Sequence, residues 1–150
     1  MSTIKRYFSK EDLKKLAQAV ADAEKNTSGQ IRVVARHSRH WKERKLSLRD
    51  LALREFYRLG VQNTGHHTGV LLLVLFSERK FEIVADEGIH TRVTEGTWER
   101  IAAGMSIHFR KENYVEGISE AVKTIGNELA KYFPRDPEST NELPDEIVEE

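Results

Sequence analysis

Four carboxylates stand at the ends of predicted secondary-structure elements, where side chains from separate loops can meet. Asp86 and Glu87 follow an apolar strand, Glu95 begins a helix and Glu24 ends another. Calcium and magnesium take oxygen ligands from several loops, and water completes their coordination. A glutamate at a helix C-terminus opposes the helix dipole, and a nearby cation would compensate it. The alternative is that these are solvated loop acids, with Asp86 and Glu95 serving a turn or a helix N-terminus.

Two adjacent histidines, His66 and His67, precede the longest apolar run of the sequence. Imidazole ligands would shift a metal site toward zinc, nickel or manganese. Adjacent side chains of an extended segment point to opposite sides, so both histidines could bind one ion only in a loop conformation. An ordinary surface turn is the alternative interpretation.

A basic segment follows the first predicted strand. Its Ala35-Arg36-His37-Ser38 is similar to the Arg-His-Gly of histidine phosphatases, in which the histidine is phosphorylated and arginines hold the phosphate. Here a serine replaces the glycine, and no matching distal His-Gly or Glu pair follows in order. The preferred interpretation is a solvated basic loop that can recognise an anionic partner at low affinity. Its basic side chains are Arg36, Arg39, His40, Lys42, Arg44 and Lys45.

Composition and missing motifs exclude several functional classes. The 24 basic and 24 acidic residues balance, which argues against a general nucleic-acid binder. The absence of cysteine excludes disulfides, zinc–thiolate sites and thiol catalysis. There is no P-loop, Asp-x-Asp pair, His-Glu-x-x-His or nucleophile elbow. The larger aromatic side chains are expected in the core rather than on a cofactor platform, namely Phe56, Trp98, Phe109 and Tyr114.

The N-terminal sequence and the hydropathy bear on the cellular compartment. MSTIKRYFSKEDLKK lacks the apolar region of a signal peptide, and no later segment is long and apolar enough to span a bilayer. We therefore expect a cytoplasmic, monomeric protein without a membrane span. Binding of a protein partner is left open.

Three strands are predicted, at about residues 31–36, 70–76 and 81–85. The run from Gly69 to Phe76 is almost unbroken in its apolar character, which is typical of a strand buried on both faces. Residues 77–80 are polar and of hairpin length, so the third strand returns antiparallel.

Four helices are predicted from their apolar stripes and their N-terminal capping residues, Ser9, Ser47, Thr94 and Asn113. The helix from Leu48 connects the first two strands, and such crossovers are nearly always parallel and right-handed. Helices on both faces of a small mixed sheet give a three-layer α/β/α sandwich with an antiparallel hairpin. In this topology residues 28–29, 65–68 and 86–87 share one edge of the sheet, which Glu24 and Glu95 also approach.

The chain is predicted to form one domain over residues 5–134, followed by a flexible acidic tail over residues 135–150. The tail is polar and contains two of the three prolines, so little apolar surface can offset the entropy of ordering it. The pairs Leu143-Pro144 and Ile147-Val148 are the exception, and they could dock on the domain.

Several segments follow one another in a specific order and spacing. These are Glu24 ahead of SGQIRVV, the run from Ala52 to Gly60, the TGVLLLV core, the short turn with its charged strand, and EGIHTRVTEGTW. Together they resemble the TPM domain family over roughly residues 5–134. Asn-Glu-Leu-Pro-Asp-Glu-Ile in the tail resembles the end of soluble members without a signal peptide. The chain departs from the family at residues 85–88, where many members have Gly-Tyr-Gly. It departs again at residues 66–69, where many have an acid before an Asn-Gly.

The resemblance implies a Rossmann-like α/β/α domain with an acidic surface patch that binds divalent cations, calcium or magnesium. It also implies relatives in the thylakoid lumen with acid phosphatase activity, and others that act as accessory factors of membrane complexes. The histidines at residues 66–67 replace a hard-cation ligand, so zinc is an alternative metal. Three functions follow: a cation-binding accessory or interaction module, a weak metal-dependent phosphatase of phosphomonoesters, or a metal-independent interaction domain.

Overall fold

The computed structural model of the protein describes residues 3–135 and 142–150. Within them lie four strands and five α-helices, linked by short 3-10 turns. In chain order they are α1 (Lys10–Ala23), β1 (Gln30–Arg36), α2 (Leu48–Arg58), β2 (Gly69–Leu75), β3 (Lys80–Ala85), α3 (Glu87–His90), α4 (Thr97–Arg110), α5 (Tyr114–Tyr132) and β4 (Val148–Glu149).

The strands form one mixed sheet in the order β3-β2-β1-β4. Strands β1 and β2 are parallel, with Gln30 opposite Gly69 and Arg36 opposite Leu75. Strand β3 returns antiparallel to β2, with Val70 opposite Ala85. The predicted strands, their directions and the crossover through α2 are confirmed.

Two hydrophobic cores lie on opposite faces of the sheet. Helices α1, α4 and α5 cover one face, where they pack on alternate strand residues such as Val33 and Leu72. Helix α2 covers the other face and packs on Val34, Leu71 and Leu73. Every residue of β2 is buried, as the continuous apolar run predicts. The α/β/α sandwich is confirmed.

Local capping agrees with prediction at two helices and differs after β3. Ser9 makes a capping box with Asp12, and the Ser47 side chain accepts a hydrogen bond from the Asp50 amide. Helix α4 begins at Thr97, two residues later than predicted, because Gly96, in a left-handed conformation, takes the N-cap position predicted for Thr94. The short helix α3 was not predicted.

The C-terminal segment 142–150 packs on the domain, the outcome that the sequence left open for the pairs Leu143-Pro144 and Ile147-Val148; residues 136–141 of the predicted tail lie outside the described part. Strand β4 pairs in parallel with Val34 and Ala35 of β1. The Gln30 side-chain carbonyl accepts hydrogen bonds from the backbone amides of residues 142 and 143. Arg32 donates to the carbonyl oxygens of Pro144 and Glu146. The apolar side chains of Leu143 and Ile147 are buried.

Two glycines in helix interiors provide a matched test of the packing between α1 and α5. A Cβ atom at Gly126 would lie 2.8 Å from both the Cβ and the carbonyl oxygen of Ala23, whereas a Cβ at Gly104 would meet no atom within 4 Å. Gly126→Ala should therefore destabilise the fold by about 1–3 kcal/mol because the helices must separate. Gly104→Ala should stabilise it by about 1 kcal/mol through helix propensity. Urea unfolding measures both, and equal effects would contradict the packing.

Candidate functional site

The loops before β1 and β2 and the residues after β3 meet at one edge of the sheet, as the predicted topology requires. The Asp86 amide donates to the carbonyl of Gly69, and the Gly88 amide donates to the carbonyl of His67 at 3.0 Å. The Gln30 amide donates to the carbonyl of Thr68. This edge is the candidate site.

Asp86 is a polar side chain at this edge whose contacts are incomplete. Its Oδ1 accepts a hydrogen bond of 2.8 Å from the Glu87 amide, which begins α3. Its Oδ2 is buried and has no hydrogen-bond partner among the described residues. The nearest ionisable partner is His67, whose Nδ1 lies 3.6 Å away. Since a buried acceptor without a partner is costly, Asp86 Oδ2 is a candidate ligand atom.

The backbone that follows Asp86 packs closely against the loop before β2. His67 has a φ of 55°, a left-handed conformation that is uncommon for residues other than glycine. The carbonyls of His66 and His67 approach Gly88 so closely that a Cβ there would lie 2.7 and 2.5 Å from them. Glycine is therefore required at this position.

The remaining predicted site residues do not join Asp86 and His67 in one cluster. Glu87, Glu95 and His66 are exposed, as is the side chain of His67, which is 63% exposed but lies within 3.6 Å of Asp86. Glu95 lies in the loop before α4 and not in the helix, which corrects the prediction that it begins one. Within residues 3–135 and 142–150, no three His, Asp or Glu side chains form a group that could hold a metal ion.

Glu24 is buried and is engaged in the fold. Its Oε2 accepts a hydrogen bond of 2.7 Å from the Ile31 amide. Burial raises the pKa of Glu24 to about 9, and a hydrogen bond with Asp145 from the C-terminal segment adds to this rise. The side chain is therefore protonated at neutral pH, which also removes the unfavourable charge from the end of α1.

Arg36 is buried and paired, which corrects its placement in a solvated basic loop. Its side chain is 1% exposed and its Nη2 lies 2.5 Å from Glu43 Oε1. Its Nη1 lies 3.5 Å from Glu55 Oε1, and Glu150 is a third carboxylate at 3.8 Å from Nε. Burial opposes ionisation of Glu43, yet hydrogen bonds from Arg36 and the His40 amide hold the pKa of Glu43 below its ordinary value.

Two more basic side chains of that segment are engaged within the domain. Arg39 pairs with Glu78 at 2.5 Å and donates to the carbonyl of Leu46. His37 Nδ1 is 2.7 Å from the hydroxyl of Tyr7. The arginine and histidine similar to those of histidine phosphatases therefore serve the structure in this chain.

The pairing of Arg36 with Glu55 could have been predicted from the periodicities of β1 and α2. In β1, Arg36 stands two residues after Val34 and therefore on the same face of the sheet. In α2, Glu55 lies on the apolar stripe with Leu51 and Ala52. An arginine and a glutamate on facing buried surfaces predict an ion pair.

The chain belongs to the TPM domain family, whose model matches residues 4–128. The BA42 protein from the psychrophilic bacterium Bizionia argentinensis, solved by NMR, has a similar fold with a TM-score of 0.86. It is 32% identical, and the similarity covers 99% of each chain. This match extends over the C-terminal segment that the family model leaves out.

Two further solved structures share the fold at lower identity. The N-terminal domain of a P. gingivalis protein has a TM-score of 0.68 at 24% identity, over 85% of this chain and 79% of that one. The N-terminal domain of the cg2496 protein from Corynebacterium glutamicum has a TM-score of 0.62 at 12% identity, over 89% and 80%. No curated protein matches. Among the described residues, no helix combines the length and the apolar character needed to cross a bilayer.

Proposed function

We propose that this TPM domain binds a divalent cation at Asp86 and His67 and acts as an accessory or interaction module. The buried Asp86 Oδ2, without a hydrogen-bond partner among the described residues, is the observation that supports this proposal. A cation would supply the missing partner and offset the negative charge of a half-buried carboxylate.

The donor set bears on which cation would bind. A carboxylate oxygen suits calcium and magnesium, whereas an imidazole beside it suits manganese or zinc. Two side chains leave most coordination positions to water. We therefore expect weak binding, with manganese and zinc preferred over calcium and magnesium.

Thermal unfolding with each of the four cations tests the site. A cation at a hundredfold excess over its dissociation constant stabilises the fold by ~2.7 kcal/mol. For a chain of this size we expect a rise in Tm of roughly 5–10 °C. Asp86→Asn should abolish the rise, because asparagine retains the cap on α3 and removes the charge.

Glu95→Gln is the matched control, since Glu95 is an exposed acid outside the proposed pair. It should leave the cation-dependent rise unchanged. A rise that survives Asp86→Asn, or calorimetry with no heat of binding for any of the four cations, would contradict the proposed site. In the second case a metal-independent interaction domain would remain.

One assay distinguishes an accessory role from phosphatase activity. A bound cation can polarise a phosphoryl group and lower the pKa of a water ligand, so a phosphatase would hydrolyse p-nitrophenyl phosphate when manganese is present. We expect no hydrolysis above that of Asp86→Asn, since the proposed role is not catalytic. Turnover that is lost with Asp86→Asn would assign the phosphatase function instead.

A further inference from the structure

A cavity of about 540 Å³ opens at the other end of the parallel strands, where β1 and β2 end. Aromatic side chains from separate parts of the chain line it, namely Tyr7, Phe76, Phe81, Phe109 and Tyr114. Phe76 follows β2 directly, and Phe109 lies in the last turn of α4. In open α/β sheets, ligands bind outside the carboxyl ends of the parallel strands.

The aromatic wall of this cavity is held in a fixed arrangement. Phe76 stacks on Tyr7 with ring centroids 3.8 Å apart, and on Phe109 at 5.6 Å. Tyr114 stands edge-on to Phe109 at 4.9 Å. The hydrogen bond between Tyr7 and His37 fixes the outer ring of the stack. Because these side chains are already held in place, a planar ligand could pack against a ring face or a ring edge with little loss of side-chain entropy.

Two arginines at the rim give the cavity a positive character. The Arg79 guanidinium makes no hydrogen bond or ion pair with any residue in the described part of the chain. Arg110 donates through its Nε to the Ser106 carbonyl, and its terminal nitrogens make no hydrogen bond or ion pair with the described residues. Among the lining residues that the structure describes, Glu112 is the single acid. Tyr114 also lines the cavity, and burial raises the pKa of its hydroxyl.

The backbone is unusual at the same place. Among the described residues, three non-glycine residues have a positive φ: His67 at the candidate cation site, and Arg79 and Glu112, which both line this cavity. Left-handed conformations of such residues cost free energy and concentrate at ligand sites. Here they place the two charged side chains at the rim.

We propose that this cavity binds a small planar aromatic molecule that carries a carboxylate or phosphate group. The ring would pack against the aromatic wall, and Arg79 and Arg110 would pair with the anion. The volume lies within the range of about 300–1,000 Å³ typical of small-molecule sites. The seven residues of β2 place it about 20 Å from Asp86, so it is independent of the cation site.

Two fluorescent probes that share a ring system test the proposal. 1-Anilinonaphthalene-8-sulfonate carries an anionic group, and N-phenyl-1-naphthylamine lacks it. We expect both to bind the full chain with one-to-one stoichiometry. Ser106→Trp, which fills the cavity from α4, should abolish binding of both. In amide NMR spectra, shifts caused by the anionic probe should be confined to the lining residues.

The arginines are tested with the double variant Arg79→Asn/Arg110→Gln, in which asparagine tolerates the left-handed backbone. It should bind the anionic probe about tenfold more weakly and leave the neutral probe unchanged. Arg54→Gln, an exposed arginine on α2 across the sheet, is the control and should alter neither. Unchanged binding to Ser106→Trp with native circular dichroism, or an equal loss of both probes in the double variant, would overturn the proposal.

Discussion

Replacing Arg36 by methionine is expected to destabilise the domain by about 3–5 kcal/mol, the usual cost of removing one partner from a buried ion cluster. Arg36 is 1% exposed, and Glu43 and Glu55 are buried around its guanidinium. Methionine fills much of the volume but leaves Glu43 without its cation and leaves Glu55 with Arg58 as its remaining partner. The loss should therefore come from uncompensated charge rather than from a cavity.

Urea unfolding at neutral pH measures this loss, and two variants identify its source. Arg54→Met removes an exposed arginine from α2 and should change stability by less than about 0.5 kcal/mol. Arg36→Met combined with Glu43→Gln and Glu55→Gln should recover at least half of the loss, because the buried charges are gone. A triple variant no more stable than Arg36→Met would show that shape, not charge, determines the effect.

The stability of the domain is expected to fall as the pH rises from about 5 to about 9, because of Glu24. Its pKa is raised from 4.5 to about 9 in the folded protein. The folded state therefore binds one more proton than the unfolded state across this interval, and stability decreases with increasing pH. The slope can reach about 1.4 kcal/mol per pH unit. The full contribution of Glu24 is present below its ordinary pKa and is lost above pH 9.

Glu24→Gln should remove this pH dependence, because a neutral amide can replace the protonated acid. Glutamine can accept the hydrogen bond from the Ile31 amide and donate one to Asp145. At pH 8 the variant should be more stable than the wild type, an unusual result for a buried substitution. Glu11→Gln, at an exposed position of α1, serves as the control. A wild-type stability that stays flat or rises between pH 5 and pH 8 would contradict the assignment.

The fold was predictable because its main signals are local. Strand β2 is a continuous apolar run, and the serines before α1 and α2 cap their helices as expected. The docking of residues 142–150 was predictable only as a possibility for the pairs Leu143-Pro144 and Ile147-Val148, because so few apolar residues form no periodic pattern. What holds that segment includes polar side chains far away in sequence, such as Gln30 and Arg32.

The candidate site was predictable only as far as strand order determines it. Knowing that β3 returns beside β2 is enough to place Asp86 next to the loop of His67. The role of Glu24 depends on Asp145, which a segment predicted to be flexible brings to it. The aromatic cavity was hidden for another reason: two of its rings, Phe109 and Tyr114, were predicted as core, and both do pack on the core while remaining partly exposed.

Because β4 follows the other strands in the chain, it is the last of them that can join the sheet during synthesis. Its segment bonds to β1 across long sequence separations, 113 residues for Leu143 with Gln30 and 114 for Glu146 with Arg32. On the ribosome, β1, β2 and β3 can pair before this segment has been made, since they lie earlier in the chain. The outer edge of β1 then remains open, and an open edge is a template for pairing with another chain. Newly made copies on one messenger RNA are thus most prone to join edge to edge in that interval, when a chaperone would be of most use.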